Sequence, residues 1–255
     1  MILFLIVFFI FGTTVGSFLN VVIDRTTRGE SILGRSYCDH CKASLKTVDL
    51  VPVISFVLLG AKCRYCRKPL SWQYPMVETL TGTLFVLSFI VLSLSGLLSF
   101  WSLTYWLFLI SILIVVAIVD LKYSLIPTTL VFLASLVALF YNFFAFEPSL
   151  FIQHIITAFI LALFFLIVVL ITRGRGMGEG DVILAFLIGM VLGAQATFVA
   201  IFVAFLLGAA VSLLLIFLGK KHFGQTVPFG PFLVFGFIAS LFWANSLLEW
   251  YLMLY

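Results

Sequence analysis

The sequence predicts an all-α polytopic membrane protein with about eight transmembrane helices and a small cytoplasmic insert that binds zinc through four cysteines. Three observations predict this fold class: the composition, the placement of basic residues, and two Cys-x-x-C pairs. Of the 255 residues, 64% are hydrophobic and 9% are charged. In soluble domains about half of the residues are hydrophobic and about a quarter are charged. Helices are expected because lipid offers no hydrogen-bond partners, and a helix pairs its backbone N–H and C=O groups within the same segment.

Eight apolar segments are candidates for transmembrane helices. A span needs about 20 apolar residues, so the short sixth segment also leaves open a count of seven or a re-entrant segment. We interpret the first segment as a retained helix, because no basic residue precedes Arg25 as a signal peptide would require. Its Gly12 and Gly16 form a G-x-x-x-G pair, which favours close helix packing over a catalytic role. The segments are 1 to 23, 77 to 97, 101 to 119, 128 to 146, 150 to 172, 182 to 195, 197 to 218 and 230 to 254.

The basic residues predict the orientation of these helices. With eight spans and the N-terminus outside, all fourteen Lys and Arg residues fall on one side, and the opposite turns near Gly96, Glu147 and Gln195 contain none. This distribution matches the positive-inside rule, so the basic side is predicted to be cytoplasmic. The basic residues lie between Arg25 and Lys68, at Lys122, at Arg173 and Arg175, and at Lys220 and Lys221.

Residues 24 to 76 form the one long polar segment and contain every cysteine. The pairs "CDHC" and "CRYC" are separated by 21 residues, and together they offer the four thiolates of a tetrahedral zinc site. Four protein ligands leave no position for water, so the zinc is expected to be structural. The predicted ligands are Cys38, Cys41, Cys63 and Cys66.

Disulfides and redox-active thiols are the alternatives for these cysteines. A cytoplasmic location disfavours structural disulfides, and the insert lacks the βαβ pattern of thioredoxin-like proteins. His40 lies inside the first pair and could compete as a ligand, but a complete set of four thiolates makes a solvated histidine the preferred interpretation.

Two aspartates are predicted at the cytoplasmic ends of their helices. Asp120 ends the run "YWLFLISILIVVAIVD", and Asp181 follows the glycine-rich "GRGMGEG". Each could be an interfacial residue that only ends a span. The glycines before Asp181 weaken that interpretation, because they carry an entropic cost and let a peptide backbone approach closely. A nucleotide-binding loop is excluded, since no G-K-[ST] follows them.

The chemistry of such a pair suits peptide hydrolysis. Two carboxylates brought together share one proton and titrate as a unit. The ionised member can take a proton from water while the protonated member hydrogen-bonds the scissile carbonyl. The alternative is a proton-coupled transporter that uses both aspartates as relay groups, but relay residues are more typical of broken helices at the bilayer midplane.

Collinear motifs along nearly the whole chain resemble those of the type IV prepilin peptidases. This family comprises the bifunctional leader peptidases and N-methyltransferases of type IV pili, type II secretion and competence systems. The motifs are "GSFLNVVIDR" at 16 to 25, "GRSYCDHC" at 34 to 41, "DLVPVISF" at 49 to 56, "GAKCRYCRKPLSWQYPMVETLTG" at 60 to 82, "DLKYSLIP" at 120 to 127, "GMGEGD" at 176 to 181 and "VPFGPFL" at 227 to 233.

The resemblance implies an activity and a location. Asp120 and Asp181 match the catalytic pair of a membrane aspartic protease, and the second lies in a G-x-G-D motif shared in form with presenilin-type proteases. The expected reaction is removal of a short basic leader from prepilins or pseudopilins, usually after glycine, at the cytoplasmic face of the bacterial inner membrane. The lipid bilayer and these substrates are the expected partners, and no nucleic acid is expected.

The resemblance also implies N-methylation of the new N-terminal residue with S-adenosylmethionine as the donor. Because the chain has no Rossmann glycine signature, this activity rests on the resemblance alone. The expected domains are a first transmembrane helix (1–23), the zinc-binding insert as a methyltransferase region (24–76), and a membrane aspartic peptidase bundle (77–255).

Further substrate contacts are expected at Gly178, Gly180 and Glu78, although for Glu78 an interfacial residue paired with a lysine of the insert is an equal alternative. Two positions depart from the family pattern, Ile183 where lysine is frequent and Thr128 where an acidic or amide residue is frequent.

A presenilin-like intramembrane protease remains an alternative that the cysteine insert disfavours. A catalytically inactive scaffold is disfavoured by the two retained aspartates.

Overall fold

The computed structural model describes residues 2–174, 176–220 and 227–252, with side chains to Trp243. All regular elements among these residues are helical, which confirms the predicted fold class. Arg175 and Lys221, which the orientation argument used, lie outside the described residues. The helices are α1 (Ile2–Arg28), α2 (Ile54–Leu58), α3 (Gln73–Leu94), α4 (Phe100–Tyr123), α5 (Thr128–Ala145), α6 (Pro148–Thr172), α7 (Glu179–Phe217) and α8 (Gly230–Leu252), with a 3₁₀ turn at Thr47–Leu50.

The described part of the chain contains six helices that are long and apolar enough to cross a membrane, and α8 is a shorter apolar helix as far as Trp243. The protein is therefore a multi-pass membrane protein. Eight spans were expected, and the difference has two sources. The segments 182–195 and 197–218 both lie in α7, and the segment 230–254 extends beyond the described residues.

Helix α7 is interrupted at Gly193, whose φ of 68° and ψ of −177° are not helical. Ahead of this break α7 packs against α6, where Gly189 lies against Ala158. Seven residues further along α6, the ring of Phe165 lies beside that of Phe205, with centroids 6.2 Å apart. Because α6 ends at Thr172 and α7 begins soon afterwards at Glu179, a contact further along α6 lies nearer the start of α7. Residue 205 has therefore turned back towards that start, and the chain reverses at Gly193. A straight helix of 39 residues would be about 58 Å long, almost twice the hydrocarbon thickness.

Side chains of α5 and α6 satisfy the backbone at this break. Asn142 Nδ2 donates to the carbonyl oxygen of Met190 at 2.6 Å, and Nδ1 of His154 lies 2.9 Å from the same oxygen. A Cβ at Gly193 would be 2.9 Å from Nε2 of His154. Because lipid supplies no hydrogen bonds, a helix can break inside the membrane only where other protein groups replace the missing partners.

Two compact units make up the chain, Met1–Val115 and Val116–Tyr255. In the first unit, α1 and α3 approach closely at glycines. A Cβ at Gly12 would lie 2.7 Å from the Cα of Gly82, and one at Gly16 would lie 2.7 Å from the Cα of Glu78. The predicted packing role of the G-x-x-x-G pair is confirmed. Helix α1 continues to Arg28 and α3 begins at Gln73, so the segment between them is shorter than the expected insert.

Candidate active site and metal centre

Asp120 lies in the last turn of α4 and is 5% exposed. The helix ends here because Ser124 adopts a left-handed φ of 52° and Pro127 disfavours helical geometry in the residue before it. The N–H of Ser124 closes this end by donating to the carbonyl of Asp120 at 2.8 Å. The Oδ2 atom of Asp120 accepts a 2.9 Å hydrogen bond from the backbone N–H of Gly230.

Asp181 is the third residue of α7 and is also 5% exposed. Its Oδ2 accepts a 3.0 Å hydrogen bond from the backbone N–H of Gly178, the residue that precedes the helix. A carboxylate in this position caps the helix and interacts favourably with the positive end of its dipole. Its second oxygen, Oδ1, is buried and has no hydrogen-bond partner among the described residues.

The two aspartates belong to the same unit. Each carboxyl group uses one oxygen to accept a glycine N–H, and Oδ1 of Asp181 remains available. A buried polar atom without a partner is uncommon, because leaving it unsatisfied costs about 1–3 kcal/mol. The arrangement can therefore bind a water molecule at this atom, or a substrate carbonyl when Oδ1 carries a proton.

The glycines before Asp181 have different surroundings. Gly180 lies in the first turn of α7, and a Cβ there would be only 2.7 Å from Cβ of Ile126, in the segment between α4 and α5. Packing against Ile126 therefore requires a glycine at this position. Gly178 is exposed, and a Cβ there would make only an ordinary contact of 3.7 Å with Oδ2 of Asp181.

Sequence reasoning did not identify Gly230 as part of the site. The motif "VPFGPFL" contains it, but no spacing rule relates it to an aspartate 110 residues earlier. A Cβ at Gly230 would lie 2.7 Å from Oδ2 of Asp120, so the close approach requires glycine. A glycine at the start of a helix that follows a polar segment was the only signal available.

The four cysteines form a cluster in the first unit. Their Sγ atoms all lie within 4.8 Å of one another, and those of Cys38 and Cys66 are 3.9 Å apart. A tetrahedral zinc–thiolate site with bonds of about 2.3 Å has sulfur atoms about 3.8 Å apart. The cluster fits a metal ion in both size and donor chemistry. Exposed His40 is not a member of this group.

Each Cys-x-x-C pair lies in a tight hairpin of the same design. In the first hairpin, Lys42 N–H donates to the carbonyl of Cys38 at 2.8 Å, and in the second, Arg67 N–H donates to that of Cys63 at 3.0 Å. Lys42 and Arg67 both have left-handed φ angles, 57° and 58°. Isolated bridges close the hairpins between Tyr37 and Ser44 and between Lys62 and Pro69.

Backbone groups inside the second hairpin favour the thiolate form of its first cysteine. Burial by itself would raise the pKa of Cys63, but hydrogen bonds from the backbone of Cys66 and Tyr65 outweigh burial and lower this pKa to about 7. A thiolate is the form of cysteine that binds metal.

Glu78 belongs to the first unit, whereas both aspartates belong to the second. It is 7% exposed, and its Oε2 accepts a 2.7 Å hydrogen bond from the backbone N–H of Val53. Val53 has a φ of 60°, which is rare for a β-branched residue. The expected ion pair between Glu78 and a lysine of the insert is not found among the described residues.

Comparisons with known proteins assign the chain to a family. The model of the bacterial peptidase A24 N-terminal domain matches residues 10–92, and the model of the type IV leader peptidase family matches residues 107–213. A relative from Bacillus subtilis (strain 168) is 31% identical over 254 residues, which cover 96% of this chain and 97% of the relative. This chain belongs to the type IV leader peptidase family. It is therefore a peptidase.

Other relatives of this leader peptidase family member share one name with the Bacillus subtilis protein. A protein from Legionella pneumophila is 29% identical over 95% of this chain and 92% of its own length. One from Aeromonas hydrophila is 29% identical over 96% of this chain and 92% of its own length. These two and the Bacillus subtilis protein are named prepilin leader peptidase/N-methyltransferase. No solved structure shows significant similarity to this family member.

Proposed function

We propose that this peptidase removes the leader peptide from prepilins or pseudopilins with Asp120 and Asp181 as its catalytic pair. The observation that carries the proposal is the pair itself: two buried carboxyl groups in one unit, each with one oxygen held by a glycine N–H. Oδ1 of Asp181 has no partner among the described residues and is the atom offered to water or substrate.

The reaction needs one ionised and one protonated carboxyl group. The ionised group takes a proton from water, and the resulting hydroxide attacks the scissile carbonyl carbon, while the protonated group donates a hydrogen bond to the carbonyl oxygen. The roles then reverse, so that a carboxyl proton passes to the leaving amine as the C–N bond breaks. The glycine N–H donors hold both side chains in position while the proton moves between them.

The relatives support the substrate class, because three of them are named for prepilin processing. The substrate backbone must reach two side chains that are each 5% exposed. Gly178 is exposed and has no side chain, which lets a peptide approach the start of α7 beside Asp181. Cleavage takes place at the cytoplasmic face of the bacterial inner membrane, with the N-terminus of the enzyme outside, in agreement with the one-sided distribution of basic residues.

The cysteine cluster holds a structural zinc ion in this proposal. Zinc would join the two hairpins of the insert and stabilise a segment too small to have a large core of its own. Cys38, Cys41, Cys63 and Cys66 would occupy all four positions, so the ion takes no part in hydrolysis.

Methylation of the new N-terminus is a second reaction, which the names of the relatives support. The free amine would attack the methyl group of S-adenosylmethionine, the C–S bond would break to leave a neutral thioether, and one proton would be released. The first unit, which contains the insert, is the proposed location.

The experiment compares leader removal from a purified prepilin in liposomes by the parent enzyme, Asp120→Asn and Asp181→Asn. Each substitution should reduce kcat by about 10²- to 10⁴-fold, the usual contribution of a general acid or base. Glu179→Gln is the matched control, because it removes an exposed carboxylate two residues from Asp181 and should leave cleavage unchanged. Full activity in either aspartate variant would exclude the proposed pair.

A further inference from the structure

Helix α2 is apolar on both faces, although it belongs to the polar insert of the first unit. Phe56 lies buried on one face. The opposite face consists of Ile54, Val57 and Leu58, which are neighbours on a helix because they lie three and four residues apart. These side chains are between 59% and 80% exposed. A helix that is apolar all round is normally buried all round, so within the described part of the chain half of α2 lacks an apolar cover.

Two contacts hold α2 beside the first turns of α3, which is long and apolar enough to cross a membrane. The backbone N–H of Val53, the residue before α2, donates to Oε2 of Glu78 at 2.7 Å. The ring of Phe56 packs edge-on against that of Trp72, with centroids 5.0 Å apart. Positions 72 and 78 are separated by about 9 Å along a helix. Helix α2 therefore runs beside that length of α3.

This length of α3 falls at the boundary between lipid and water. Helix α3 has 22 residues, which extend about 33 Å, close to the hydrocarbon thickness of about 30 Å. Its first turns therefore lie near one edge of the hydrocarbon layer. Helices that lie flat on a membrane bury their apolar face about 5–10 Å into the boundary between headgroups and acyl chains. Helix α2 is held at this depth.

The exposed apolar surface of α2 continues onto α3. Trp72, Met76 and Leu80 are exposed and follow one another at intervals of four residues, which places them on one side of the helix. In a membrane-spanning helix an exposed apolar side faces lipid. Because Phe56 joins α2 to Trp72, the uncovered face of α2 adjoins this lipid-facing surface. Tryptophan is itself enriched where membrane meets water.

Basic side chains follow directly after α2. Lys62, Arg67 and Lys68 are exposed in the second cysteine hairpin. The N–H of Ala61 joins this hairpin to α2 by a 2.9 Å hydrogen bond to the carbonyl of Phe56. Anionic lipid headgroups attract basic residues that lie next to a membrane-attached segment. Apolar side chains beside positive charges are the pattern of a segment that binds an anionic bilayer surface.

We propose that α2 docks on the lipid bilayer, at the boundary between headgroups and acyl chains. Ile54, Val57 and Leu58 enter the lipid, and the basic side chains of the second hairpin contact anionic headgroups. This attachment keeps the cysteine hairpins at the membrane surface, whereas a solvated insert would be joined to the membrane only through α1 and α3. No residue of the aspartate pair takes part, so the docking does not depend on the proposed peptidase mechanism.

Photocrosslinking in the full chain identifies what covers this face. The photoreactive residue p-benzoylphenylalanine is placed at position 58 in nanodiscs of equal parts phosphatidylcholine and phosphatidylglycerol. Position 40, which is exposed in the first cysteine hairpin, is the control. Irradiation should give several times more phospholipid adduct at position 58 than at position 40.

Two results of this experiment overturn the proposal. The first is a yield of phospholipid adduct at position 58 that is no higher than at position 40, which means that α2 is solvated. The second is a main product at position 58 that is a covalent dimer of the chain or an adduct with added prepilin, which assigns the face to a protein.

A polar substitution gives a second test, because lipid and water predict different results. Leu58→Gln should be almost neutral if the side chain is solvated, whereas loss of a lipid-buried leucine should increase local opening of α2 roughly tenfold. Hydrogen exchange of backbone amides within residues 54–61 in nanodiscs measures this opening, and retained metal content shows that the hairpins are folded. Leu33→Gln, which changes an exposed leucine outside α2, should leave that exchange unchanged. Unchanged exchange in Leu58→Gln contradicts the docking.

Discussion

The backbone N–H of Gly230 donates a 2.9 Å hydrogen bond to Oδ2 of Asp120, which lies 110 residues earlier in the chain. Gly178 makes the equivalent bond to Oδ2 of Asp181 at 3.0 Å. Each aspartate is thus positioned by a glycine N–H at the start of a helix. A main-chain donor is held by the fold, so it orients the carboxylate without adding another titratable group.

Substitution of Gly230 by alanine should impair cleavage. The new Cβ would lie 2.7 Å from Oδ2 of Asp120, so the carboxylate or the start of α8 must move. A displacement near 1 Å at a catalytic group can cost about 100-fold in rate. Initial rates of prepilin cleavage give kcat and KM, and the loss is expected mainly in kcat. Gly176→Ala is the control, since its Cβ meets only side-chain atoms of Thr172, at 3.1 Å or more.

Two substitutions of Gly178 separate the hydrogen bond from the space around it. Gly178→Pro removes the N–H that binds Asp181, while the φ of −84° at this position is close to what proline adopts. Gly178→Ala keeps the N–H and adds a Cβ with an ordinary contact of 3.7 Å. We expect kcat to fall at least tenfold more in the proline variant than in the alanine variant. Equal rates would show that this hydrogen bond does not position Asp181.

Substitution of Gly16 by alanine should destabilise the first unit. Its Cβ would lie 2.7 Å from the Cα of Glu78, and helix backbones cannot yield as a side chain can. Overpacking of this kind costs about 1–3 kcal/mol. The measurement is thermal unfolding in detergent, with Phe18→Ala as the control because that side chain is 55% exposed. An unchanged melting temperature in Gly16→Ala would contradict the close packing of α1 on α3.

Metal content should depend on the cysteines and not on the histidine between them. Purified protein is expected to contain about one zinc ion per chain, and Cys38→Ser or Cys63→Ser should lower both zinc content and stability, since metal binding and folding are coupled. His40→Ala should retain the metal, because His40 lies outside the cluster of four Sγ atoms. Loss of zinc in His40→Ala with retention in Cys38→Ser would reverse the ligand assignment.

Local patterns were sufficient for several features. Apolar runs predicted the long helices, because span length follows from bilayer thickness. The two Cys-x-x-C pairs predicted the sulfur cluster, since each pair already sits in one tight turn. The G-x-x-x-G pair predicted the close approach of α1 to another helix, although not that Glu78 and Gly82 lie opposite it.

Other features depended on residues far apart in the chain. The sequence predicts a turn near Gln195, but no local pattern indicated that Asn142 and His154 satisfy the backbone at the break. Likewise, no local pattern indicated that Gly180 packs against Ile126, which belongs to the segment between α4 and α5.

The sequence by itself determined the membrane-spanning character, the helical class, the clustering of the four cysteines and the two candidate aspartates, because each depends on composition or on residues close together in the chain. Only the tertiary structure decided which oxygen of each aspartate is held by a glycine, that Glu78 accepts the N–H of Val53, and which side chains satisfy the backbone where α7 turns back. These features arise when helices that are distant in sequence pack together. Steric fit and hydrogen bonding between such helices cannot be predicted from a local sequence pattern.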